Sequence, residues 1–404
     1  MKIRTVTAFV SLQETFDEEY VVAALEFLNH EASVFTAAGF EVQTKRLVFN
    51  NPAEWLLTSE SGALKAGLLP RLSELLDKFD VPFCSVGRLP TRFAHIAPEI
   101  VLAGDTFNTS VIVDRADVQG ALAVAQACQR IAAESDGGMG NFRFCAIMNF
   151  ADDSFCPFFP ASFGSSAVSR SLDTGAGERN RDIHFAIGLE NGSDFQEACK
   201  RAKTMKKLGD EMIAVFAPTL LSIQELCLST ATTNFVPTSG RSCSLKYAGI
   251  DTSLNPALGS EGSIGYGFEL LEEITSFGRV GASLAAVAEA TMTCQHGFEG
   301  ILLTGYCGCM LPLCEDEQLA LSNLGARDLL SLSSTCGVGI DTVPLGFIDF
   351  NPMDLAYLYL DAAAVAFRKQ RPLSVRVFPV PGLSSGDMTT FNNPYLTNAS
   401  CRKL

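Results

Sequence analysis

The chain has 404 residues, 47% of them hydrophobic, and a formal net charge of −15. That apolar content excludes a disordered chain, and the acidic balance argues against nucleic acid and anionic membrane as partners, since both are held by basic patches. The 13 cysteines lack the density of a short secreted disulfide scaffold, so reduced core thiols in a reducing compartment are expected.

Residues 2–10 alternate like a first strand, without the long apolar run of a signal peptide. Residues 17–39 read as a helix ending at Gly39, and residues 42–49 as a strand broken by Asn50-Asn51-Pro52. A helix over 60–79 and a strand over 81–86 follow. Short apolar runs at 100–103, ahead of Asp105, and at 111–113 are expected as strands, and 116–134 as an amphipathic helix. The Gly-rich run 135–140 is a loop. Residues 142–150 read as a strand ending at Asp152 and Asp153, then residues 155–170 as a loop passing into a helix. Residues 183–189 form a strand ending at Glu190, before a long helix over 193–229. Beyond it, strands are expected at 244–250, 300–304, 338–340 and 374–380, and helices at 268–275, 280–293, 315–332 and 353–368. This alternation is the pattern of α/β architecture, and no linker divides the chain, so one domain over residues 1–404 is expected. No stretch approaches the roughly 18 uninterrupted apolar residues of a membrane span, which points to a cytoplasmic protein with no membrane and no nucleic-acid partner.

The tetrapeptide Gly-Ile-Asp-Thr occurs at residues 249–252 and 339–342. Each copy reads as the close of a strand, where α/β folds place ligand and catalytic groups. Asp251 and Asp341 are therefore the leading catalytic candidates, with Asp105, Asp152, Asp153 and Glu190 as further acids after strands. Converging carboxylates could bind Mg²⁺ or Ca²⁺, or divide into an acid and a base. The alternative is that acids after strands begin turns and cap helices. Gly259, Glu261 and Gly262 open a Gly-spaced segment running into a helix, suited either to holding an anion on backbone N–H groups or to close packing. Cys294, His296, Cys307, Cys309 and Cys314 are soft ligands without a zinc-knuckle spacing. A reactive thiolate among Cys307, Cys309 and Cys336 is a second possibility, with Cys336 placed before the second repeat. The histidines show no triad spacing.

Several ordered segments resemble the DUF711 family, also called UPF0210, of uncharacterised proteins. They are Ile3-Arg4-Thr5-Val6-Thr7, Asn149-Phe150-Ala151-Asp152-Asp153 with Phe163-Gly164, Gly249 through Asn255-Pro256, Cys336 through Asp341, and Arg376 through Gly382 with Gly386-Asp387-Met388. The resemblance implies a ten-stranded α/β barrel of the pyruvate formate-lyase-like type, built as two five-stranded halves with helices outside. The radical enzymes of that fold carry an Arg-x-x-Gly-Tyr type segment near the C-terminus. Here Arg376 is followed by Val-Phe-Pro and Gly382 by Leu383, so no radical cofactor is expected.

The resulting expectation is a non-radical enzyme acting on a small anionic metabolite at the barrel centre. Asp251, Asp341 and Cys336 would be catalytic, with Asp152, Glu190, Asn255, Gly259, Glu261 and Gly262 binding substrate. A regulator that binds an amino-acid-like molecule without turning it over is the alternative, and a self-associating structural protein a third reading. A homodimer rests on base rates alone.

Overall fold

Among the described residues, nine strands form one mixed sheet: β1 (Lys2–Val10), β2 (Lys45–Phe49), β3 (Phe83–Leu89), β4 (Phe107–Ile112), β5 (Phe144–Met148), β6 (Asp182–Glu190), β7 (Ser244–Asp251), β8 (Gly339–Gly346) and β9 (Leu373–Val380). The computed structural model describes residues 1–59, 61–152, 154–164, 182–233, 235–238, 240, 243–278 and 283–404. Asp153 and the end of the expected loop-to-helix stretch, residues 165–170, lie outside them. The strand order is β7-β6-β1-β2-β3-β4-β5-β9-β8. Strands β1 to β5 run parallel to one another. Antiparallel pairing joins that block to β6 on one side and β9 on the other, and the outer pairs β6/β7 and β8/β9 are parallel.

Strands buried on both faces read as continuous apolar runs, so the charges inside them stand out. Every residue of β9 is buried, Arg376 included. Helices cover the sheet. Helix α1 (Glu18–Ala37) starts where the Asp17 side chain accepts from Tyr20 N at 3.2 Å, with Glu18 and Glu19 in the positive first turn. Gly39 follows its end at φ +90, a conformation that favours glycine. Phe27 of α1 packs on Phe185 of β6 with ring centroids 5.0 Å apart. Truncating such a buried ring costs about 3–5 kcal/mol, so Phe27→Ala would loosen α1 from the sheet.

The repeated tetrapeptide has two different settings. The first copy ends β7, as the sequence implies, but the second opens β8, which continues through Pro344 to Gly346. What the copies share is the glycine: Gly249 has φ +120 and Gly339 has φ +121. Each sits where a Cβ would strike a neighbouring carbonyl, Leu302 O at 2.6 Å and Ser374 O at 2.1 Å. The repeat therefore marks two close backbone approaches beside register shifts in the ladders.

Other expectations change for local reasons. The run 100–103 lies in a helix, Ala97–Leu102, because Pro98 in the first turn favours helix initiation over a strand. The long helix expected over 193–229 is two, Gly192–Ala202 and Met205–Ala231, separated by Lys203 at φ +60. The helix expected over 315–332 is likewise two, Glu317–Leu321 and Ala326–Cys336. Helix Met205–Ala231 is long and apolar enough by length and composition to cross a membrane, and its buried residues, among them Leu208, Met212, Phe216 and Leu220, recur at helical spacing on one face. Residues 300–304 form no strand; the longer stretch 303–312 instead makes isolated parallel bridges, Ile250↔Leu303, Leu254↔Cys309 and Pro312↔Asp341, touching the sheet's two edge strands, β7 at Ile250 and β8 at Asp341.

Candidate functional site

Strands β1, β2, β3, β4, β5, β8 and β9 each place a residue on the wall of one cavity of about 70 Å³. Period-two alternation puts them there: Arg4, Arg46 and Arg376 line the cavity while the neighbours Ile3, Leu47 and Val377 lie in the apolar core. An outer pocket of about 440 Å³ shares Arg4, Thr44, Glu315 and Tyr395 with this inner cavity. Tyr395 stacks on Phe142 at 6.3 Å and 13°, and the Arg4 guanidinium lies 5.8 Å from its ring centroid, so this ring stands between the two spaces.

Charge is concentrated on these walls. Arg376 reaches Asp341 with two bonds, Nε to Oδ1 at 2.6 Å and Nη2 to Oδ2 at 3.0 Å, the bidentate geometry guanidinium groups favour. Its Nη2 also donates to Glu315 Oε1 at 2.6 Å. Burial works against the Arg376 charge, and Asp341 and Glu315 outweigh it and hold its pKa above the ordinary value. Burial pushes the Glu315 carboxyl up; Arg376 opposes that and Asp341 adds to it. Arg4 donates to Gln43 Oε1 at 3.0 Å and Glu190 Oε2 at 3.3 Å. The Tyr306 hydroxyl is buried beside the cavity with no hydrogen-bond partner among the described residues. The Cys145 thiol also lines it, pushed up by burial and so neutral.

Against a profile described as "Uncharacterised ACR (DUF711)", residues 1–392 match. The chain belongs to the DUF711 family. It is similar to the UPF0210 protein of Bifidobacterium longum (strain DJO10A), 27% identical over 265 residues, which cover 62% of this chain and 52% of the relative. The UPF0210 protein of Clostridium botulinum (strain Alaska E43 / Type E3) is 28% identical over 167 residues, 38% of this chain and 35% of that protein. That of Oleidesulfovibrio alaskensis is 30% identical over 147 residues, 35% and 32% of the two chains. The chain thus spans about half the length of its Bifidobacterium relative.

The residues singled out in the sequence have distinct places. Asp341 and Asn255 line the cavity, and Glu190 lines the outer pocket. Asn255 is fixed by its Nδ2 donating to Leu189 O and its N–H to Asn191 Oδ1, both at 2.9 Å. Asp251 is fully buried and does not line the cavity. It accepts from Ser253 Oγ (2.6 Å), Ser253 N (3.0 Å), Tyr306 N (2.8 Å) and Cys307 N (3.0 Å). Burial pushes its carboxyl up, and these donors oppose the shift. It clamps the loop 304–308, where a Cβ on Gly305 would lie 2.2 Å from Asp251 Oδ2.

Cys336 is buried at a helix end, its sulfur accepting from Val338 N and Gly339 N at 3.5 and 3.4 Å, and it does not line the cavity. Asp152 is 81% exposed and pairs with Arg88. Asp105 is fully exposed and pairs with Arg143 at 3.1 Å. Glu261 is exposed. Gly262 packs against Ala257, 2.4 Å from a built Cβ, while Gly259 at φ +89 meets nothing. The helix start that the glycines lead into, Ile264–Glu269, holds an anion of the chain's own. Asp316 accepts from Ile264 N at 2.6 Å, Ser263 Oγ at 2.6 Å and Gly265 N at 3.3 Å.

Sequence reading passed over Arg46, Glu315, Tyr306 and Tyr395. For Arg46 and Arg376 a signal existed: a charged residue inside an otherwise apolar strand needs a polar reason to be there. Among the described residues no group of three or more His, Cys, Asp or Glu side chains is placed to hold a metal ion. Glu315 and Asp341, the nearest to such a pair, are bridged by Arg376.

Proposed function

We propose that this protein is a non-radical enzyme that takes a small anionic metabolite into the inner cavity, with Glu315 and Asp341 as its acid/base pair. One observation carries the reading: Arg4, Arg46 and Arg376 converge with Glu315 and Asp341 on a single cavity that shares lining residues with an outer pocket. Glu315, whose carboxyl burial pushes up, is the one suited to give and take a proton, while Arg376 holds both carboxylates in place.

The bridges of the 302–313 segment to both edge strands support a closed barrel of ten strands, β1 to β5 facing a second half of β6, β7, this segment, β8 and β9. Residues from β1 to β5 and from β8 and β9 on one small cavity favour the same curvature. A cytoplasmic location and a homodimer belong to this reading as well.

The test is metabolite depletion. Purified protein incubated with a pool of small organic anions is followed by NMR, beside Glu315→Gln, which keeps an acceptor for Arg376. Loss of one anion with wild type, slowed at least tenfold by Glu315→Gln, supports the proposal. A ligand that binds and returns unchanged makes the protein a sensor and refutes the enzymatic reading.

A further inference from the structure

Among the described residues, Arg46 is the cavity arginine without an ion-pair partner. Its hydrogen bond to a described residue runs from Nε to Thr44 Oγ1 at 3.2 Å. No carboxylate among the described residues lies within ion-pair distance of it, whereas Arg4 has Glu190 and Arg376 has Asp341 and Glu315. Its guanidinium lies 5.0 Å from the Phe159 ring centroid and 5.5 Å from that of Phe83. With Nε on Thr44, the Nη atoms have no hydrogen bond to a described residue and are the place for a polar partner. Burial, with Arg4 and Arg376 as like charges, pulls its pKa down to about 9, against Glu315. A buried charge in this state calls for a counter-ion.

From these observations we infer that the ligand is a short-chain monocarboxylate of roughly two to four carbons, its carboxylate bound edge-on by the Arg46 guanidinium. This rests on the anion-binding reading of the cavity and narrows it. Arg4 is paired with Glu190 and Arg376 with Asp341 and Glu315, so among the described residues Arg46 is the cavity arginine without a carboxylate, and a single monoanion would supply one. The volume of about 70 Å³ is about half that of a dry cavity which holds benzene, so it admits only a few heavy atoms. Phe158, Ala161, Met310 and Val338 supply apolar wall for a short alkyl tail. An ammonium group has no free acid to meet, because Glu315 and Asp341 are engaged by Arg376, so a zwitterionic amino acid fits less well.

The experiment is thermal denaturation of full-length wild type, Arg46→Met and Arg46→Lys with sodium acetate, propionate and butyrate, against inorganic phosphate, glycine and sodium chloride at matched ionic strength. The expected result is a concentration-dependent upward shift of wild type with at least one carboxylate, absent with chloride and glycine. Arg46→Met loses it, and Arg46→Lys, which keeps the charge without the fork, binds at least tenfold more weakly. Without ligand, Arg46→Met melts at or above wild type, since it removes a charge without a counter-ion. A shift with phosphate but no carboxylate overturns the monocarboxylate while leaving an anion-binding cavity. A carboxylate shift that survives in Arg46→Met overturns Arg46 as the anchor. A ligand-free Arg46→Met that melts well below wild type, or fails to fold, makes Arg46 structural and overturns it as well. If no anion shifts wild type, both this inference and the reading beneath it fall.

Discussion

Replacing Asp251 separates a clamp from a catalyst. The carboxylate holds four donors, three of them backbone N–H groups, in a site closed to water. In Asp251→Asn the amide oxygen can keep the Oδ1 position, which receives Ser253 N, Ser253 Oγ and Cys307 N. The amide NH₂ then faces Tyr306 N–H, formerly 2.8 Å from Oδ2, donor against donor. One bond is lost and one buried N–H orphaned, a cost of about 1–3 kcal/mol. Asp251→Ala loses all four bonds, and at about 1–1.5 kcal/mol each the cost is roughly 4–6 kcal/mol. Urea unfolding followed by circular dichroism reads both, as shifts in midpoint at constant slope. The clamp also positions Tyr306, which lines the cavity, so ligand affinity should fall together with stability. An Asp251→Asn protein as stable as wild type within about 0.5 kcal/mol, yet unable to bind ligand, would refute this account and return Asp251 to the chemistry.

The other predictions concern the buried acid of α1 and the repeated glycine. Neither carboxyl oxygen of Glu31 has a hydrogen-bond partner among the described residues, and burial pushes it up from 4.5 to about 7, against a weaker pull from the Thr230 hydroxyl. Because the folded chain holds this proton more tightly than the unfolded one, the stability contribution is greatest below pH 4.5 and falls as pH rises to about 7. Unfolding free energies of wild type and Glu31→Gln from pH 4 to 8 should diverge across that window, with Gln ahead by about 3 kcal/mol at pH 8; parallel profiles would contradict it. Gly339→Ala should cost several times what Gly259→Ala does in a denaturant titration. Both need positive φ, about 1 kcal/mol for an L-residue, but only Gly339 would drive a Cβ to 2.1 Å from the Ser374 carbonyl. Equal losses would show that backbone conformation alone sets the requirement.

Much of this protein was legible in its residues because local patterns are written locally. The alternating strands at 2–10, 183–189, 244–250 and 374–380, and the helix ending at Gly39, follow from periodicity and from turn and cap residues that act within a few positions. The ordered segments from Ile3 to Met388 pointed to DUF711, and the family match bears that out. The same patterns failed where a short apolar run fits two structures, as at 100–103, and where identical letters sit at opposite ends of a strand, as in the two tetrapeptides. Site membership was legible only in part: Asp341 and Asn255 line the cavity, and a charge inside an apolar strand marks Arg46 and Arg376, but the rest was not written locally. Asp251 and Asp341 share their neighbours in sequence, yet the fold closes a loop of N–H donors over one and brings Arg376, 35 residues away, to the other. Nor does the sequence around Glu315 or Arg46 reveal that Arg376 engages the first while the second keeps no described counter-ion. Chain chemistry set which groups could be charged; burial and through-space neighbours, which depend on the crossings between strands, decided which of those charges are paired with one another.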